Sequence, residues 1–171
     1  MAKQMINSNG FSLVEVVATL TIIGMISAIA GLGMVQMVNG FVFSMENTEA
    51  VQTAQMALLR LSKELRSADE ITSGNSAEII WTGRNPVQTF WVYRSGTSLM
   101  LETGAGPAIL AEGVIDQANS FRLSYLESFD QAVPATSYTA ETEMIEITLV
   151  LAGAGDVPME FSYHVSLQKS E

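Results

Sequence analysis

Residues 16 to 45 carry no charged side chain, thirty consecutive positions closed off by Glu15 on one side and Glu46 on the other. About 20 apolar residues cross the hydrocarbon core of a bilayer, so the run is long enough to span a membrane with turns to spare. Glu15 is the odd residue. An acid at mid-membrane costs roughly 2.5–3.5 kcal/mol on insertion scales, so its place at the head of the run requires a reason. No proline precedes Pro86, so one helix is expected from Phe11 to about Ile71.

The rest of the chain has a different character. Residues 46 to 171 hold seventeen acids and seven bases, the source of the net charge of −10. No basic patch exists to neutralise phosphates, which excludes a nucleic-acid partner. The acidic surface is expected to keep a domain soluble. With no cysteine in the chain, disulfides and thiolate metal sites are excluded as well.

Three readings of the N-terminal segment follow from its residues. As a secretory signal peptide it has Lys3 as its positive region and Ala28-Ile29-Ala30 as a small-residue cleavage site, but Glu15 interrupts the start of the apolar core. As a plain anchor with Lys3 inside it leaves Glu15 unexplained. The third reading uses every odd feature. The string G-F-S-L-V-E, Gly10 to Glu15, resembles the processing site of type IV prepilins and related pseudopilins, behind a short basic leader and before a long apolar helix.

That resemblance implies a leader of residues 1–10, cleavage between Gly10 and Phe11 by prepilin peptidase, N-methylation of Phe11, and Glu15 as the fifth mature residue. Ser12 stands where Thr is commoner in the family. The new Phe11 amine and the Glu15 carboxylate would attract strongly where water is scarce, making Glu15 an assembly and register residue towards its own amine or a neighbour's. An acid in the first helical turn is also favoured by the helix dipole alone. The implied partners are other pilin or pseudopilin subunits, prepilin peptidase, an inner-membrane assembly platform and the lipid bilayer. The implied place is the inner membrane as a single-pass protein with an extracytoplasmic head, then a pilus or pseudopilus. Major pilins often carry proline at the twenty-second mature position; here it is Leu32, which tilts the reading to a minor component. The string ALLRLSKELRSADEI, residues 57–71, followed by VYR, ILAEGV and FRLSY, also resembles minor pilins and J-type minor pseudopilins of type II secretion.

Within the apolar run, Gly24, Ser27 and Gly31 fall at steps of three and four, a small-residue face suited to close helix packing; Gly24, Gly31, Gly33 and Gly40 each cost about 1 kcal/mol of helix propensity, and with Leu32 in place of a proline Gly31 and Gly33 are the candidate weak points. Ordinary tolerance of glycine in membrane helices explains them equally well. Beyond the run, Val51, Ala54, Leu58, Leu61, Leu65 and Ala68 form a stripe on one helical face, expected to cover a head.

From residue 73 on, six segments rich in β-branched and aromatic residues read as strands: 77–82, 89–94, 98–102, 121–127, 143–151 and 159–167. With no second strong helix they predict an antiparallel sheet covered by the stripe. The expected class is α+β, the pilin fold: residues 1–10 leader, 11–40 transmembrane and assembly helix, 41–72 amphipathic helix, 73–171 β-rich head.

No catalytic constellation emerges. His164, the only histidine, alternates with strand residues and is expected opposite the core. The glycine-rich strings at 103–107 and 151–156 fit neither a P-loop nor a dinucleotide fingerprint and read as turns. Glu141, Glu143 and Asp156 match no calcium-loop spacing. Trp81, Phe90 and Trp91 read as packing residues. No cofactor, metal or enzymatic activity is expected. The competing function is a membrane-anchored or exported binding domain without a filament.

Overall fold

The computed structural model describes residues 12–84 and 87–168. The chain divides into two compact units, Met1–Val42 and Phe43–Glu171. Helix α1 covers Leu13–Arg66, and eight strands follow: β1 (Ala68–Gly74), β2 (Glu78–Gly83), β3 (Thr89–Ser95), β4 (Ser98–Thr103), β5 (Gly106–Glu112), β6 (Phe121–Leu126), β7 (Met144–Ala152) and β8 (Pro158–Ser166). One long N-terminal helix followed by antiparallel sheets is an α+β architecture that matches the pilin fold.

In the first unit, every described residue from Ser12 to Val42 is exposed. Residues 13 to 42 alone give ~45 Å of helix, more than the ~30 Å of a bilayer core. In the second unit, the helix buries one face: Ala50, Ala54, Ala57, Leu58, Leu61, Ser62 and Leu65. Of the expected stripe, Val51 is only half-buried. Ala50 and Ala57 take places at the head that the sequence reading left out.

The helix ends at Arg66, not near Ile71. The Ser67 amide donates to the carbonyls of Lys63 (3.2 Å) and Glu64 (3.1 Å) and closes the last turn. Ala68 and Ile71 belong to β1 instead. That strand pairs with β2 through two register shifts, between Ala68 and Glu70 and between Ile71 and Ser73. Bulges of this kind break the period-two alternation by which a strand is recognised. β5 also lies outside the six expected segments. It carries Gly106 and Pro107, and β4 meets it through a register shift beside Leu99, at the edge where proline is tolerated.

The strands form two sheets rather than one. The five-stranded sheet runs in the order β1-β2-β3-β4-β5, and the three-stranded sheet in the order β6-β7-β8. The Leu123 amide donates to the Ser76 carbonyl (2.9 Å), and Val114 bridges Leu151, tying one sheet to the other. Trp81 and Phe90 stack with ring centroids 5.3 Å apart, inside a core that also holds Val92, Leu101, Ile145, Ile147 and Leu149.

Candidate functional site

The expected processing residues, Gly10 and Phe11, lie outside the described residues. The described chain starts at Ser12, which sequence reasoning treated only as a small substitution. Its hydroxyl accepts the Glu15 amide at 3.3 Å, and its carbonyl accepts the amides of Glu15 (3.1 Å) and Val16 (3.2 Å). Ser12 is therefore the N-cap of α1, filling donor valences that every helix start leaves open. The signal was present in the sequence: Ser, two residues, then Glu is the capping-box spacing.

Glu15 occupies the first turn, where the dipole favours a negative charge. It is exposed, and no described residue forms an ion pair with it. A carboxylate held at the start of an apolar helix, without a counter-charge among the described residues, is available to meet one from outside them.

The helix behind Glu15 is prepared for an apolar setting. An 18-residue window reaches a mean hydropathy of 2.2 with none of it buried. Both of its threonine hydroxyls are satisfied internally: Thr19 donates to the Val16 carbonyl (2.9 Å) and Thr21 to that of Val17 (2.8 Å). Such back-bonding removes the cost of carrying a hydroxyl into a low-dielectric medium. At Gly24 and Gly31 an added Cβ would meet nothing within 4 Å, and Ser27 is exposed. Seven residues separate the two glycines, so at 3.6 residues per turn they share a face to within about 20°. Gly33 and Gly40 share a second one.

In the head, His164 is exposed and sits across from Glu146 at 3.8 Å on the sheet surface. Among the described residues no group of three or more His, Asp or Glu side chains is placed to hold a metal ion. Asn47, which no sequence pattern marked, accepts the Ala154 amide at 2.9 Å. It thereby ties the helix to the turn between β7 and β8, where Gly155 (φ 66°) and Asp156 (φ 59°) take left-handed backbone.

A family model for the prokaryotic N-terminal methylation motif matches residues 5–31, the stretch that contains Gly10, Phe11, Ser12 and Glu15. The match supports a type IV pilin-like family. No curated protein and no solved structure matches the chain significantly.

Proposed function

We propose that this pilin-like chain is a minor pilin or pseudopilin, processed by prepilin peptidase between Gly10 and Phe11, methylated on Phe11, and assembled into a type IV pilus or type II secretion pseudopilus, where it helps initiate the filament. The observation that carries this reading is the conjunction of the methylation motif over residues 5–31 with a helix whose described residues up to Val42 are all exposed and predominantly apolar. That surface needs lipid before assembly and neighbouring helices after it. Leu32 at the usual proline position supports a minor role.

In this reading the chain sits in the inner membrane with its head outside the cytoplasm. Glu15 meets the methylated amine of a neighbouring subunit and sets the register, while Gly24, Ser27 and Gly31 let helices approach closely. Subunits repeating a contact that does not close on itself build an open helical filament. The assembly platform of the inner membrane and other pilin subunits are its working partners.

Mass spectrometry of the mature protein tests the first step. A methylated Phe11 at the N-terminus is expected; retention of Met1 to Gly10 in cells with an active processing peptidase overturns the reading. Glu15→Ala tests the second. Removing one partner of a pair in a dry environment costs roughly 3–5 kcal/mol, so incorporation into filaments should drop at least about a hundredfold while membrane insertion is kept. Undiminished incorporation would remove the register role. Full function after replacing residues 11–40 with an unrelated anchor would favour an anchored binding domain instead.

A further inference from the structure

In β2, β3 and β4 the residues Ile79, Trp81, Phe90, Val92, Leu99 and Leu101 are buried, so their neighbours point to the other face of the five-stranded sheet. Two cross-strand rows result: Ile80, Trp91 and Glu102 in one, Glu78, Tyr93 and Met100 in the other. The Trp91 and Tyr93 rings lie 4.2 Å apart, tilted by 33°. Each presents its hydrogen-bonding edge to the carboxylate on the diagonal. Trp91 Nε1 donates to Glu78 Oε2 at 2.9 Å, and the Tyr93 hydroxyl reaches Glu102 Oε2 at 3.5 Å. Asn75 Nδ2 donates to the other Glu78 oxygen at 3.2 Å.

Rings and carboxylates thus alternate around the centre of this face, and all four side chains are half-buried. Clefts open on both sides of Trp91. One of about 450 Å³ is lined by Glu102, Gln88 and Thr103; one of about 320 Å³ is lined by Glu78, Arg94 and Asn119. Among the described residues Arg94 is the only base on either cleft, and its Nη1 is taken by Asp116 Oδ1 and the Gly96 carbonyl, both at 2.7 Å. Neither Glu78 nor Glu102 has an ion-pair partner among the described residues.

We propose that this face, centred on Trp91, is a docking site for a basic segment of a partner protein, with an arginine side chain seated over the Trp91 ring between Glu78 and Glu102. Two carboxylates without a counter-charge, each at the edge of an aromatic ring, set up a site for a cation, because a ring face and the carboxylates attract it together. A planar guanidinium suits the site better than an ammonium: it stacks on the indole and still forks hydrogen bonds to the acids on both sides. The apolar surround of Ile80, Met100 and Ile109, the last 51% exposed, requires more cover than a small cation supplies, and Trp and Tyr are the residues that anchor protein interfaces. This docking site is separate from the N-terminal segment and does not rest on the filament reading.

The test uses the full-length protein in detergent and the peptide acetyl-Ile-Arg-Ile-Arg-Ile-amide, followed by tryptophan fluorescence. The same peptide with citrulline for arginine keeps the shape and most donors but has no charge. It should bind at least about tenfold more weakly, because it forfeits the cation–π attraction and the charge assistance of its hydrogen bonds. Glu78→Gln with Glu102→Gln keeps an acceptor for each ring edge and removes the charge. It should weaken binding about tenfold with an unchanged unfolding midpoint, an effect that carboxylates serving only to orient the rings would not produce. Equal binding of the citrulline peptide overturns the proposal even if the double variant fails to fold. So does undiminished binding by a folded double variant, or a saturable response to cellohexaose with none to the arginine peptide.

Discussion

Up to Val42 the described chain hides nothing, whereas from Phe43 on it builds a core whose central residues, among them Leu61, Trp81 and Ile147, are fully buried. Both regions are rich in apolar side chains. In the head those side chains face one another, and the hydrophobic effect acts within a single chain. In the N-terminal helix, Leu20 is 64% exposed and Met37 77% exposed, on a surface far larger than the apolar patches soluble monomers present. Exposure on that scale marks a segment whose solvent is lipid or other subunits. The second unit buries its own apolar core, and the described helix before it buries none of its side chains.

The sharpest way to break that contrast is to truncate one leucine in each region. Leu61→Ala in the head should cost about 2–5 kcal/mol through reduced burial and a cavity, lowering the thermal midpoint by several degrees. Leu20→Ala should leave the head's unfolding unchanged to within about 0.5 kcal/mol. Circular dichroism melts of the two variants in detergent measure both; a comparable loss from Leu20→Ala would mean that the head depends on the apolar helix.

A smaller effect probes how tightly the head is packed. A Cβ on Gly74 would stand 2.5 Å from the Tyr125 hydroxyl and 3.0 Å from the Tyr138 Cβ. Gly74→Ala should therefore cost about 1–3 kcal/mol by overpacking, read as a shift in the denaturant midpoint. The same substitution at Gly31, where a Cβ meets open space, should leave that midpoint where it is.

The smallest effect is a pH dependence confined to the head. Burial pushes the Tyr125 hydroxyl above its ordinary value of 10.0, and that hydroxyl donates to the Asn75 carbonyl at 3.0 Å. The folded pKa is the higher one, so the stabilisation is complete below the unfolded value. It is lost as the pH rises past about 10 towards the folded pKa, at about 1.4 kcal/mol per pH unit. Tyr125→Phe should lose about 1 kcal/mol at pH 8 with the hydrogen bond and show a shallower decline above pH 10. Parallel denaturant titrations at pH 8 and 10.5 decide it; equal slopes in the two proteins would mean that Tyr125 ionises as freely folded as unfolded.

How legible the molecule was depended on how local each signal was. Ala54, Leu58, Leu61 and Leu65 announce a buried helical face because helix periodicity is written in near neighbours. The six expected strands have counterparts for the same reason: Phe121, Leu123 and Tyr125, or Ile145, Ile147 and Leu149, alternate without interruption. β1 escaped because its bulges hide the alternation, and β5 because glycine and proline read as turn. Val51 illustrates a different limit. A 3.6-residue pattern marks a face, but which edge of that face is covered depends on a head that lies far away in sequence. At the N-terminus, Glu15 and the Gly10–Phe11 junction stand out in the sequence, and the Ser12-to-Glu15 spacing already carries the cap that the hydroxyl bond then displays.

By itself the sequence determined the thirty-residue uncharged run, the acid at its head, the methylation motif and the α+β class, because each of these is a matter of composition and spacing along a few turns of chain. Only the tertiary structure decided that the strands split into two sheets, that Asn47 ties the helix to a turn more than a hundred residues away, and that Trp91 and Tyr93 meet Glu78 and Glu102 on one face. Those juxtapositions follow from strand order and register, and register is chosen by the whole core at once. No short stretch of sequence carries that information.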